Sequence, residues 1–511
     1  MRLQVVPAEQ AESSGDLLHG TSVSTLLGLL LERQGWANWS RFRAEFTVAA
    51  SRVAERTGGE RFRTVTVSNS TYLRWMAGDC LPQGNARVVL EEMMGVSISL
   101  LFSPAPARDV VVPRPARMSS HAAVLALDTQ WAWSSLSPTP PAPGMDGVWR
   151  LDGSPAFDGT TVAAQLYDAV PSGDLAVLHH EDAAHIAQFV GPARRGLVLA
   201  GLHQEGRAVL HALDTVHARR QIATGSPWRT MSVPTAYELD DLTCSILWAA
   251  VCLDDALLAD DHVLTEAETE LGPHVSAPRS ALGIAALTDL SQSSAAWLGG
   301  WGCARHLSGH LEHTMGPARL WAPVRRWEEA AMRVLFRHQS AHVQSLRGRA
   351  EGIGVSLAQP LGEGPLHERI WLFLLVAWWE SQGLTVWLSP QSPYTDMPGL
   401  MLFPGRRAVL ADWGQPGMLC RVDATDSRAE VGAYGDAVEY SRFHGALGDA
   451  APGDRLRALA DILHLNWRWL TRRCRELGAY GTAGLVRPRS RRIGLDALDT
   501  ALRTTGALAG A

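Results

Sequence analysis

Between Ser103 and about Ala156 the chain turns to proline, serine, alanine and glycine, in runs such as SPAPARDVVVPRPARMSS and SPTPPAPGMDG. Proline brings no amide hydrogen to a helix or a central strand, so a stretch this rich in it cannot carry regular structure across itself. The chain is thereby cut in two. Residues 22–103 read as a small N-terminal domain, 104–156 as a Pro/Ser/Ala-rich linker, and the rest as a larger body. With 511 residues, 46% of them hydrophobic, both parts have the apolar material for cores of their own.

Within the body, TVAAQLYDAV, DAAHIAQFVGPARRGLVLAGLHQEGRAVLHALDTVHARR and TAYELDDLTCSILWAAVCLDDALLADD are long and amphipathic, which points to a helical domain over 157–350. From 351 to 511 the period changes. GLTVWLSP, GLMLFPGRRAVLADW and MLCRVDA are short apolar runs bounded by Pro and Gly, and the second reads as a hairpin turning at PGRR. The helix HERIWLFLLVAWWESQG precedes them and DRLRALADILHLNWRWLTRRCREL comes after, giving an α+β module with a helical C-terminus.

Every one of the 46 basic residues is arginine, as codon bias in a GC-rich bacterium would produce. The net charge of −6 leaves no whole-protein footprint for nucleic acid, so any DNA contact must come from a local patch. Residues 22–103 supply one, with nine arginines against seven acids, a balance of +2. The six cysteines (80, 244, 252, 303, 420 and 474) lack CxxC spacing and read as reduced thiols. MRLQVVPAEQAESS has no basic stretch followed by an apolar run, and WLFLLVAWW is about half of the ~20 residues that cross a bilayer. A cytoplasmic protein with no membrane partner is expected, nucleoid-associated when bound to DNA.

The stretch VSNSTYLRWMAGDCLP, residues 67–82, has the chemistry of a helix that enters a major groove. Its first turn must carry small polar side chains so that the backbone comes close to the bases. Asn69, Ser70 and Thr71 supply that turn, Ser68 is a good N-cap, and Arg74 lies one turn on for a phosphate or a guanine. Val67, Tyr72 and Trp75 would face a core, and Gly78 would end the helix. A capped surface helix is the other reading of the same residues.

Beyond the glycine come Leu81-Pro82, a helix through Val88, Val89, Leu90 and Met93, then Gly95-Val96-Ser97 and Leu100-Leu101-Phe102. This order resembles the phage-repressor-like (Xre) helix-turn-helix family, with about a dozen positions agreeing in type and spacing over Val67 to Phe102. Met76 stands where the family commonly has Glu, and RFRTVTV is inserted ahead of Val67. The resemblance implies a five-helix domain that binds double-stranded DNA through Ser68, Asn69, Ser70, Thr71 and Arg74. Neighbouring Arg41, Arg43, Arg61 and Arg63 would hold phosphates. More loosely, the whole chain looks like the large actinomycete regulators that join such a domain to a sensory or oligomerisation body.

The fold class expected is therefore mainly α: the five-helix domain, a large helical middle domain, and a small α+β module with a short antiparallel sheet. The expected function is sequence-specific transcriptional regulation by a homodimer that answers a small-molecule or protein effector, with no enzyme activity and no cofactor. The competing classes are a metal-dependent enzyme in residues 157–511 tethered to DNA, and a protein-interaction scaffold.

Several strings resemble catalytic motifs without meeting their geometry. In LHHEDAAHIA, His185 lies five residues beyond His180, so the rings stand about 140° apart on a helix, where zinc needs one face. The aspartates 240, 241, 254, 255, 260 and 261 suggest magnesium-diphosphate chemistry, but Leu258 breaks the DDxxD spacing and helix caps explain them. Cys303, His306, His310 and His313 fall along one helical stripe and are a geometric candidate for zinc, against the plainer reading of a polar helix face. The nineteen tryptophans read mainly as core, and the eight arginines from Arg468 to Arg492 as a solvated face.

Overall fold

The computed structural model describes residues 25, 27–28, 31, 38–94 except 58, 98–102, and 147–509. Within the last span, residues 152, 155, 193–194, 205–206, 225–230, 284–289, 312–315, 327, 358–361, 390–393, 395, 416 and 448–449 are excepted. Most of the expected linker lies outside the described residues. The chain forms two units, residues 1–116 and 117–511.

In the first unit α1 (Trp39–Thr57) is followed by a 3-10 turn (Glu60–Phe62), α2 (Asn69–Ala77), α3 (Gly84–Met94) and α4 (Ile98–Leu101). Leu27, Gly28 and Leu31 are also helical. On α1 the buried positions Phe42, Phe46, Ala49, Ala50 and Val53 recur at helical spacing, so one stripe meets Tyr72 and Trp75 of α2 and Val89 and Leu90 of α3.

The second unit is built on two sheets. The first has β2 (Thr160–Ser172) at its centre, parallel to β4 (Gly196–Gln204), which pairs in turn with β5 (Arg207–Asp214). Successive segments of β2 also pair antiparallel with β1 (Gly147–Leu151) and β3 (Leu175–Leu178), and β3 pairs with β6 (Ser232–Pro234). Between these strands run the helices α5 (Ala183–Val190) and α6 (Thr215–Thr224). Then come α7 (Asp241–Ala259) and α8 (Asp261–Ser276).

The second sheet has seven strands in the order β10-β9-β8-β11-β12-β13-β7. They are β7 (Arg279–Gly283), β8 (Ala318–Val324), β9 (Ala350–Leu357), β10 (Thr385–Ser389), β11 (Leu400–Phe403), β12 (Arg407–Asp412) and β13 (Met418–Thr425). β8, β9 and β10 are parallel and the remaining pairings are antiparallel. The helices between them are α9 (Gln292–Leu311), α10 (Glu328–Leu335), α11 (Arg337–Leu346) and α12 (Leu366–Ser381). After β13 come α13 (Arg428–Phe443), α14 (Pro452–Ile462), α15 (Trp467–Tyr480) and α16 (Asp496–Ala507).

This sheet is covered on both faces. Trp321, Trp387, Leu402 and Leu410 meet Val431 and Val438 of α13, whereas Leu320, Ile353, Phe403 and Val409 join the main helical core. At the heart of that core is α12, packed among α7, α10, α14 and α16. Its Trp371 is 1% exposed and donates its indole N–H to the Ser245 carbonyl of α7 at 3.1 Å. Among the described residues one helix, α7, is long and apolar enough to pass for a membrane span, but most of it is buried inside this fold. It is a core helix.

A mainly α fold is thus overturned by two multi-stranded mixed sheets. TVAAQLYDAV, read as helix, lies in β2, and GLVLAGLH with RAVLHALD forms the antiparallel pair β4 and β5. The reason is burial on two sides: Ala164 to Tyr167 are all buried, which erases the alternation that marks a half-exposed strand. The expected hairpin at PGRR is present as β11 and β12, with Gly405 at φ 68°, but its strands belong to a seven-stranded sheet. A boundary at 350 does not separate two bodies either, because β9 starts there and pairs with β8 and β10.

Two buried polar features set testable demands on this core. Arg455 of α14 forks onto Glu380 of α12, which also accepts the Val386 N–H at 2.9 Å. Both side chains are nearly inaccessible, so Arg455→Met should cost about 3–5 kcal/mol in urea unfolding by stranding a buried carboxylate. Adding Glu380→Gln should restore most of that loss. His338 on α11 has both ring nitrogens buried without a partner among the described residues and stands edge-on to Trp297 at 5.2 Å. Burial, with smaller contributions from His342 and Arg492, pulls its pKa down to about 3. Since the folded value lies below the unfolded one, its contribution to stability is complete above pH ~6.5 and is lost as pH falls toward the folded value. His338→Leu should therefore lose stability less steeply than the parent between pH 6.5 and 4.5, by up to about 1.4 kcal/mol per pH unit.

Candidate nucleic-acid interface

The helix α2 is fixed at both ends by local chemistry. Ser68, in extended conformation at φ −82° and ψ 156°, accepts the Thr71 N–H on its hydroxyl at 3.2 Å. The same oxygen lies 2.9 Å from the hydroxyls of Ser70 and Thr71, so the first turn is a closed polar network. At the other end Gly78 takes φ 79°, and the Gly78 and Asp79 amides donate to the carbonyls of Trp75 and Arg74. A side chain at 78 would strain that cap.

One face of α2 is locked to the core of its unit. Tyr72 and Trp75 are each 3% exposed, with ring centres 4.6 Å and 6.5 Å from Phe42. Burial raises the Tyr72 pKa above its ordinary value. Thr25 adds a hydrogen bond from its hydroxyl to the Met76 carbonyl at 3.3 Å, and Glu91 accepts the Ile98 N–H at 3.0 Å at the start of α4. Pro82 is buried, Leu101 is wholly so, and Val67 is half-buried. Gly95-Val96-Ser97 lie outside the described residues.

The opposite face is open. Ser68, Asn69, Ser70 and Arg74 are exposed and Thr71 is half-buried, and Arg74 makes no ion pair among the described residues. Arg41, Arg43, Arg61 and Arg63 are exposed as well. Of these Arg63 is engaged with Glu60 at 3.2 Å, and Arg61 lies 5.2 Å over the Phe62 ring. Leu73, 56% exposed beside Arg74, was missed in the sequence. The signal for it was spacing alone, since it stands four residues after Asn69 on a helix whose buried positions are 72 and 75.

The connection before α2 departs from a helix-turn-helix. Residues 58–68 separate α1 from α2, and the 3-10 turn within them pins Phe62, 5% exposed, into the core. A turn of three or four residues is usual between such helices.

In the second unit the catalytic-looking strings resolve into structural contacts. Asp240 caps α7 in a capping box with Thr243 and pairs with Arg473 at 2.6 Å. Asp254 and Asp255 hold Arg195, Asp260 accepts the Ser291 N–H at 2.9 Å, and Asp261 binds Arg492 at 3.0 Å. Arg473 and Arg492 are buried, so the C-terminal arginines are not simply a solvated face, although Arg468, Arg472, Arg475, Arg487, Arg489 and Arg491 are exposed. The Cys303 stripe is likewise divided. Cys303 shares a hydrogen bond with Cys420 of β13, while His306 bonds the Val275 carbonyl of α8 at 2.9 Å and meets the His310 ring edge-on. His313 lies outside the described residues. Among the described residues, no three His, Cys, Asp or Glu side chains are grouped to hold a metal ion.

No family model, curated protein or solved structure matches the chain. The open face of α2 therefore has to be judged on its own geometry. Ser68→Ala should remove the cap and lower the stability of the first unit by about 1 kcal/mol, read from its own unfolding transition. An unchanged midpoint would mean that the Ser70 and Thr71 hydroxyls hold the turn without Ser68.

Proposed function

We propose that the first unit binds double-stranded DNA and that the protein is a transcriptional regulator. The observation that carries this reading is the division of α2 into two faces: Tyr72 and Trp75 are locked in the core, and Asn69, Ser70, Leu73 and Arg74 are left to solvent on a helix capped at both ends. A short rigid helix with small polar residues in its first turn can come close to base edges. In this reading Asn69, Ser70 and Thr71 reach those edges, Leu73 touches a thymine methyl, and Arg74 holds a phosphate or a guanine. Arg41, Arg43, Arg61 and Arg63 add phosphate contacts, which favours binding at low salt.

One such helix reads few base pairs, so a useful specificity ratio calls for two copies on two half-sites. The second unit would supply the dimer contact or the response to a signal, and the protein would act in the cytoplasm, on the nucleoid. Selection from random DNA by gel shift at low salt tests the reading directly: an enriched, two-fold-related sequence is expected, and no enrichment overturns it. On the selected site Arg74→Ala should weaken binding and lower the salt slope by about one unit, with the thermal midpoint unchanged.

A further inference from the structure

The seven-stranded sheet changes its direction of growth at β8. On one side β9 and β10 are added as parallel strands, and on the other β11 to β13 and β7 as antiparallel ones. A cavity of about 60 Å³ lies between β8, β11 and β12 and the helices α9, α10 and α11. At about 10–15 Å³ for each water-sized occupant, it takes roughly four or five non-hydrogen atoms.

Most of its wall is apolar, including Leu307, Val343, Leu346 and Ile353. A charged exception with incomplete hydrogen bonding is Arg333 of α10, 9% exposed. Its Nη2 donates to the Pro323 carbonyl at 3.0 Å and its guanidinium lies 4.9 Å over the Trp413 ring, but its Nε has no acceptor among the described residues. Neighbouring groups do not supply one. Asp412 is taken by both Arg325 Nη groups at 2.7 and 3.0 Å and by Gln415 at 2.6 Å. His342 shares its Nδ1 with the Ser308 hydroxyl at 3.0 Å, and burial keeps it neutral with a pKa of about 4.

The remaining carboxylate is Glu329, one turn before Arg333 and wholly buried, its Oε1 without a hydrogen-bond donor among the described residues. Burial pushes its pKa up to about 7 against the pull of Arg333, Arg326 and Arg325. Arg325, Arg326 and Arg333 thus share two carboxylates, Asp412 and Glu329. Of the charged groups that line the cavity, Asp412 is taken up by Arg325 and Gln415, and Arg333 is left with a free N–H.

We infer that this cavity binds a monocarboxylate of two or three carbons, its carboxylate on the Arg333 guanidinium and its alkyl end against the wall of Leu307, Val343 and Ile353. An inorganic oxyanion would leave oxygens against the aliphatic wall of Leu307, Val343 and Ile353, and an amine of the same size would face Arg333 with like charge. This assignment stands apart from DNA binding by the first unit and has a separate readout.

The test is isothermal titration of the full chain with acetate and propionate, alongside phosphate and propylamine at matched ionic strength. One-site binding of the two carboxylates is expected, no tighter than about micromolar for ligands of this size, and a rise in the thermal midpoint of the second unit with ligand concentration. Arg333→Lys should weaken it at least tenfold, because a point charge cannot reproduce the guanidinium edge. Ala304→Leu fills the cavity and leaves the guanidinium in place, so it should abolish propionate binding with the circular dichroism spectrum retained. It decides the matter if the Arg333 variant fails to fold. Absence of carboxylate binding at tens of millimolar, equal binding of phosphate, or undiminished binding by a folded Ala304→Leu variant would each overturn the assignment.

Discussion

Asp254 is wholly buried on the core helix α7, and the second unit is arranged to satisfy it. Arg195, at the entry to β4, reaches it from the first sheet. The backbone amides of Arg489 and Ser490, 235 and 236 residues further along the chain, donate to it at 2.8 to 3.0 Å. A carboxylate removed from water costs several kcal/mol unless its oxygens are fully paired, so helix, sheet and C-terminal segment must all be in place together. Arg473 on Asp240 and Arg492 on Asp261 and Glu268 repeat the arrangement along the same stretch. The acidic run that suggested metal chemistry is the set of anchors onto which residues 473–492 close.

What could be read from the sequence was what local rules write. Ser68 before Asn69, Gly78 after Ala77, and Tyr72 and Trp75 three apart define α2 within a dozen residues, and the structure has each in its expected state. The same holds for the hairpin at Gly405 and for α12 with its apolar run WLFLLVAWW. Where an element is buried on both sides the pattern fades. β2 is the clear case, its consecutive buried residues Ala164 to Tyr167 giving no period-2 alternation.

The partners of buried charges were not legible at all. In EEAAMRVL all eight residues of α10 are buried, Glu329 and Arg333 among them. Nothing local distinguishes a solvated arginine from one held by a carboxylate more than two hundred positions away. Arg473 and Arg472 are neighbours in sequence, and one is 1% exposed while the other lies in solvent.

The closing of Asp254 by Arg489 and Ser490 also fixes an order of events during synthesis. Until residue 490 has left the ribosome, α7 holds a carboxylate with part of its shell missing, and the second unit cannot reach its final packing. The first unit has no such dependence, since its core runs from Leu27 to Leu101. It can fold on the nascent chain while several hundred residues are still to be added, so α2 is formed well before the second unit is complete.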